Sequence, residues 1–214
     1  MKGLATWQRG TTAGRAALGA LAIAAIVTIS GGAATANERI AFLSEQGTTS
    51  APIGWRQFCR DNPAECRVAP MRTDMVRADR NSWATLVRIN AHVNTAIDPV
   101  TDIDQYGRDE VWTYPTSGRG DCEDYVLLKK KLLIEAGLPA SALLVTVVRD
   151  RQGDGHAILT VRTDRGDYVL DNETNDIRAW HQTGYRFIKR QASHDPNQWV
   201  TVGPGTAPAA VATR

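Results

Sequence analysis

The sequence predicts an α+β domain in which a helix packs on an antiparallel sheet. Residues 118–139 carry a helix with recognisable start and stop signals, and downstream lie three runs of β-branched and aliphatic residues separated by short Gly- and Asp-containing turns. Composition agrees: 214 residues, 25 Lys+Arg against 23 Asp+Glu, and 43% hydrophobic residues make one globular domain with an appendage and exclude a disordered or fibrous chain. No apolar run in the body of the chain reaches the length of a membrane span, and no fixed-period repeat is present.

The appendage is the N-terminus. Lys2, Arg9 and Arg15 precede an apolar stretch at 16–29, and Ala34-Thr35-Ala36 offers small residues for cleavage before Asn37. Residues 1–36 therefore read as a secretory signal peptide, 37–202 as the folded domain and 203–214 as a flexible tail. The mature protein is expected in the periplasm or outside the cell. The three positive charges of the leader account for the net charge of +2, so nothing in the charge balance points to nucleic acid.

An oxidising destination makes the odd cysteine count informative. Cys59 and Cys66 flank the turn-forming Asp61-Asn62-Pro63 and are expected to pair. Closing so short a loop contributes about 2.5 kcal/mol in the chain-entropy model. Cys122 is left as a free thiol, either buried and inert or kept for its reactivity.

Residues 79–97 read as a helix with Trp83, Leu86, Val93 and Ile97 on a partly apolar face, where His92 is a surface or packing residue. In the 118–139 helix, Asp121 is the expected N-cap, Asp124 closes a capping-box-like start, and Tyr125, Leu128, Leu132 and Ala136 mark the apolar face. Lys129, Lys130 and Lys131 fall near its last turns, Gly137 fits the left-handed cap, and Pro139 stops continuation. Cys122 is thereby placed at the first helical position. Unpaired backbone N–H groups and the helix dipole there favour a thiolate and can hold an oxyanion.

The strand runs are 143–149, 156–162 and 168–171, joined by turns at 150–155 and 163–167. Antiparallel pairing of the last two brings His156 and Asp171 to the same end of the sheet. With neighbouring strands about 4.8 Å apart, the carboxylate reaches one imidazole nitrogen while the other faces Cys122. The expected constellation is Cys122, His156 and Asp171. Asn172 is the alternative orienter, but strand alternation lets only one of these two neighbours face His156. His181 and His194 fall in polar loops, and scattered histidines without close ligand spacing do not suggest zinc.

Gly120-Asp121-Cys122-Glu123-Asp124-Tyr125, Gly155-His156-Ala157 and Leu170-Asp171-Asn172, in this order, resemble the motifs of the bacterial transglutaminase-like cysteine proteinases of the LapG type. The similarity runs from about Trp55 to Trp199 and takes in Asn90, Asn94 and the 104–107 and 109–112 segments. The resemblance implies a papain-like/transglutaminase-like fold and a cysteine protease. It also implies an adhesin substrate cut near a dialanine and an inner-membrane cyclic-di-GMP receptor that sequesters the enzyme.

Asp121, Glu123 and Asp124 would raise the pKa of Cys122 if bare, so a hard cation taking oxygen ligands is expected to offset them, and the resemblance implies calcium. The alternative is that Asp121 caps the helix while the other two favour its positive end. Trp112 offers an indole N–H to the oxyanion or packs in the core. The thioester can pass to water, as in a protease, or to an amine, as in a transglutaminase. A binding module with a vestigial triad is the non-enzymatic alternative.

Overall fold

Aliphatic side chains fill Leu143–Arg149 almost without a break, so this run needs cover on both faces and forms the middle strand, β4, of a seven-stranded antiparallel sheet. The computed structural model describes residues 42–66 and 72–203. The expected signal peptide, its cleavage point and residues 204–214 lie outside that range. Strand order is β1-β9-β8-β4-β5-β6-β7, with β1 Ser44–Thr49, β5 Gly155–Thr163, β6 Gly166–Leu170, β7 Arg178–Ala179, β8 Arg186–Ala192 and β9 Asp195–Gly203. The short β2 (Asp98–Pro99) and β3 (Arg119–Gly120) pair in parallel beside it.

The helices are α1 (Ile53–Asp61), α2 (Pro63–Cys66), α3 (Arg80–Ala96), α4 (Asp102–Tyr106) and α5 (Cys122–Glu135). α5 packs on β4 and β5, and α3 packs on α5. Strand alternation divides the core. Leu143, Val145, Ala157, Leu159, Val161 and Leu170 meet the helices, whereas Val148, Ile158, Val169, Phe187, Val200 and Val202 fill the opposite face. Among the described residues, no helix is long and apolar enough to cross a membrane.

The α+β class, the meander β4-β5-β6 and the helix on the sheet are as the sequence predicts. The expected 79–97 helix is α3, with Asp79 Oδ1 capping it through Ser82 N–H at 2.9 Å. Cys59 and Cys66 are joined, with Cα atoms 5.5 Å apart, and Cys122 is free. Two local expectations need correction. The Asp121 side chain makes no capping bond, and Asp124 accepts the Thr113 N–H at 2.8 Å instead of closing a box, because both carboxylates turn toward the neighbouring loop. The apolar face of α5 is also rotated: Val126, Leu127 and Leu133 are buried with Tyr125, whereas Leu128 and Leu132 are half-buried and Ala136 is exposed.

That rotation buries Lys129, which is 0% exposed, with Nζ 5.9 Å from the Tyr125 ring centroid and no hydrogen-bond partner among the described residues. Burial pushes its pKa down to about 7, partly opposed by Asp171. As pH falls from the unfolded-chain value of about 10.4 toward 7, the unfolded state gains a proton that the folded state resists, so stability declines through that window. Lys129→Met should raise stability at pH 7, on the order of 2 kcal/mol. Calorimetry at pH 7 and pH 10 should then show a smaller gain on alkalisation for the variant than for the native chain.

Candidate active site

Cys122 opens α5 at its first helical position, so its own N–H and that of Glu123 have no intrahelical acceptor. The thiol is half-buried. Its sulfur receives the Ala157 backbone N–H at 3.4 Å from β5 and donates to Glu123 Oε2 at 3.0 Å. Burial, followed by the Glu123 carboxylate, pushes this thiol above its ordinary pKa, while the Ala157 N–H pulls the other way.

His156 precedes Ala157 and is 8% exposed. Leu159 pairs with Leu170, so Asp171, one residue past β6, falls diagonally across from His156, within reach of long side chains. His156 Nε2 donates to Asp171 Oδ1 at 2.9 Å, which leaves Nδ1 for another partner. The Glu173 N–H reaches the same Oδ1 at 3.1 Å, and Tyr185 Oη donates to Oδ2 at 2.6 Å. Burial disfavours ionisation of Asp171, but His156, Tyr185 and the Glu173 N–H outweigh it and hold the pKa below the ordinary carboxylate value. Asn94 on α3 fixes the following turn by donating to the Asp171 and Thr174 carbonyls at 2.9 and 3.1 Å. His92, His181 and His194 are exposed.

Beyond the thiol, Asp121 and Asp124 converge with Asp102 from the start of α4, with one oxygen of each within 4.8 Å of the others. Asp102 lies outside the expected acidic set, since no spacing in the sequence ties position 102 to the 121–124 motif. Burial raises the pKa of Asp121, and it pushes Asp124 up to about 8 and Glu123 up to about 9. Asp121 Oδ1 and Asp124 Oδ2 are buried without a hydrogen-bond partner among the described residues. Crowded oxygen donors with unsatisfied lone pairs suit a hard divalent cation. Gly120 makes room for them, because a Cβ there would lie 2.6 Å from Asp124 Oδ2. Glu123 faces the thiol and does not belong to this trio.

Trp112 is buried edge-on to Trp55 with ring centroids 6.3 Å apart. Its ring lies over Gly54, where a Cβ would come within 2.1 Å. The indole N–H has no hydrogen-bond partner among the described residues. Tyr185 and Glu173, absent from the expected set, come from segments with no motif of their own.

A family model described as bacterial transglutaminase-like cysteine proteinase BTLCP matches residues 45–207. No curated protein matches the chain. Among solved structures, Legionella pneumophila LapG is similar at 20% identity and a TM-score of 0.49, over 58% of this chain and 71% of that one. Its calcium-bound form gives 19% and 0.49 over 62% and 77%, and its EGTA-treated form 21% and 0.46 over 53% and 64%.

Proposed function

The chain belongs to the bacterial transglutaminase-like cysteine proteinases and is a cysteine peptidase, and from that premise we propose that Cys122, His156 and Asp171 cleave a protein amide by way of a thioester. The observation that carries this reading is a pair of contacts made by successive residues at the start of β5: His156 bonds Asp171 at 2.9 Å, and the Ala157 N–H reaches the Cys122 sulfur at 3.4 Å.

Nδ1 of His156 takes the thiol proton as sulfur attacks the carbonyl carbon. The resulting oxyanion is held by the Cys122 N–H at the helix start and by the Trp112 indole N–H. The imidazolium then protonates the departing amine, the C–N bond breaks, and the acyl group stays on sulfur. Water, deprotonated by His156, attacks the thioester and releases a carboxylate and the thiol. Asp171 keeps Nε2–H toward itself, which fixes the tautomer throughout.

Calcium is proposed at Asp102, Asp121 and Asp124, with Glu123 adjoining, because Asp121 Oδ1 and Asp124 Oδ2 are buried without partners among the described residues. Bound there, it would supply positive charge that offsets the carboxylates beside the thiol. The 1–36 leader supports a periplasmic or secreted enzyme. Family membership supports a surface adhesin as substrate and an inner-membrane cyclic-di-GMP receptor as inhibitor.

A dialanine-containing fragment of a surface adhesin, incubated with the enzyme, an isotopically labelled amine and 18O water, tests the reaction. Mass spectrometry should find 18O in the new C-terminal carboxylate. Incorporation of the amine in its place would make the enzyme a transglutaminase.

A further inference from the structure

Asp171 is 2% exposed, and donors from three separate segments meet its two oxygens. His156 Nε2 and the Glu173 N–H both bind Oδ1, and Tyr185 Oη binds Oδ2 at 2.6 Å. A carboxyl group turns about its last bond in a broad, two-fold torsion, so donors on one oxygen alone fix its plane weakly. Tyr185 supplies the second anchor. Without it, Oδ2 would be a buried acceptor with no partner among the contacts described.

The phenol has one proton and two carboxylates in reach. Glu173 Oε2 lies 3.0 Å away, so the shorter contact, to Asp171, takes the proton in a charge-assisted bond. Burial, and then the bond to Asp171, raise the Tyr185 pKa, so the hydroxyl remains a donor at neutral pH. The ring is itself held in place. Tyr185 N–H donates to Thr183 Oγ1 at 3.2 Å, and the Arg151 guanidinium lies 5.7 Å from the ring centroid while its Nε donates to the Thr183 carbonyl at 3.0 Å. The same ring stands edge-on to His156, with centroids 5.7 Å apart and planes at 81°. One side chain thus touches both halves of the His–Asp pair.

We propose that Tyr185 is a positioning residue that acts through Asp171 to fix the orientation of His156, extending the catalytic chain to Cys122, His156, Asp171 and Tyr185. This rests on the triad reading above. A role through Asp171 differs from a role in packing because it disappears once Asp171 is gone.

The test is a double-mutant cycle of Tyr185→Phe and Asp171→Ala on the full mature chain with calcium present. The readout is the second-order rate of Cys122 capture by iodoacetamide from about pH 6 to 9, with melting recorded for each variant. Asp171→Ala should slow capture at pH 7 about tenfold, as one pKa displacement of the thiolate does. Tyr185→Phe should slow it about threefold or more, moving the pH profile the same way at little cost in melting temperature. The double variant should match Asp171→Ala alone. Native-rate capture by Tyr185→Phe beside a slowed Asp171→Ala would overturn the role of Tyr185, as would a double variant slower by the whole Tyr185 factor. An unslowed Asp171→Ala would instead bring down the triad reading on which the proposal stands.

Discussion

Cys122→Ala is expected to abolish amide cleavage, by at least about four orders of magnitude, while the protein melts almost as before. In the proposed mechanism sulfur is the atom that becomes acylated, so its loss would remove the covalent route and leave only what binding and the oxyanion donors supply. The thiol is half-buried at a helix start, and its two hydrogen bonds are weak sulfur contacts, so truncation opens no large cavity. His156→Ala should fall to a similar floor, and the Cys122/His156 double variant should be no worse than either alone, because the two act as a unit. Asp171→Ala should retain more activity, since it orients and does no covalent chemistry. Progress curves on the adhesin fragment, with circular dichroism melts alongside, measure both halves of this expectation. Native-level turnover by the Cys122 variant would exclude it as nucleophile.

Chelation should have the next largest effect. Calcium binding to the folded form alone would stabilise it by about 2.7 kcal/mol at one hundred times the dissociation constant. For a domain of this size that is roughly 5–10 °C in melting temperature. EGTA should remove this increment and most of the activity together, since the carboxylates would again face the thiol unscreened. Asp102→Asn and Asp124→Asn should flatten a calcium titration of the melting temperature. Gly120→Ala should do the same without touching a carboxylate, because its Cβ would displace Asp124 Oδ2 from the trio. A melting temperature and activity indifferent to both calcium and EGTA would reduce the acidic cluster to a feature of the helix start.

Much of this site was legible because local chemistry and strand register fix it. The stop of α5 follows from Gly137, at a positive φ of 88°, and Pro139, whereas its start does not rest on a side-chain cap from Asp121. The facing of His156 and Asp171 follows from two strands and a short turn. The rest depends on partners distant in sequence. Strand β8 hides in the sequence because its buried residues Arg190 and Gln191 are polar. Arg190 pairs with Asp167 at 2.9 Å, and Gln191 Oε1 receives the Val145 N–H at 3.1 Å and Lys130 Nζ at 2.5 Å, so this strand lacks the apolar pattern that marks β4. The true inner face of α5 is masked in the same way by buried Glu123, Asp124 and Lys129. Asp102 and Tyr185 join the site only through tertiary contacts, across loops that no spacing rule describes.

The proposed pairing of Cys122 with His156 is tested most directly by thiol reactivity, which needs no knowledge of the substrate. With calcium saturating at pH 7, Cys122 in the native protein should be alkylated by iodoacetamide at least about tenfold faster than a free model thiol, as expected when a partner base and the helix start favour the thiolate. His156→Ala should bring the rate down to that of the model thiol or below. Equal rates for the two proteins, neither exceeding the model thiol, would contradict a catalytic Cys122–His156 pair.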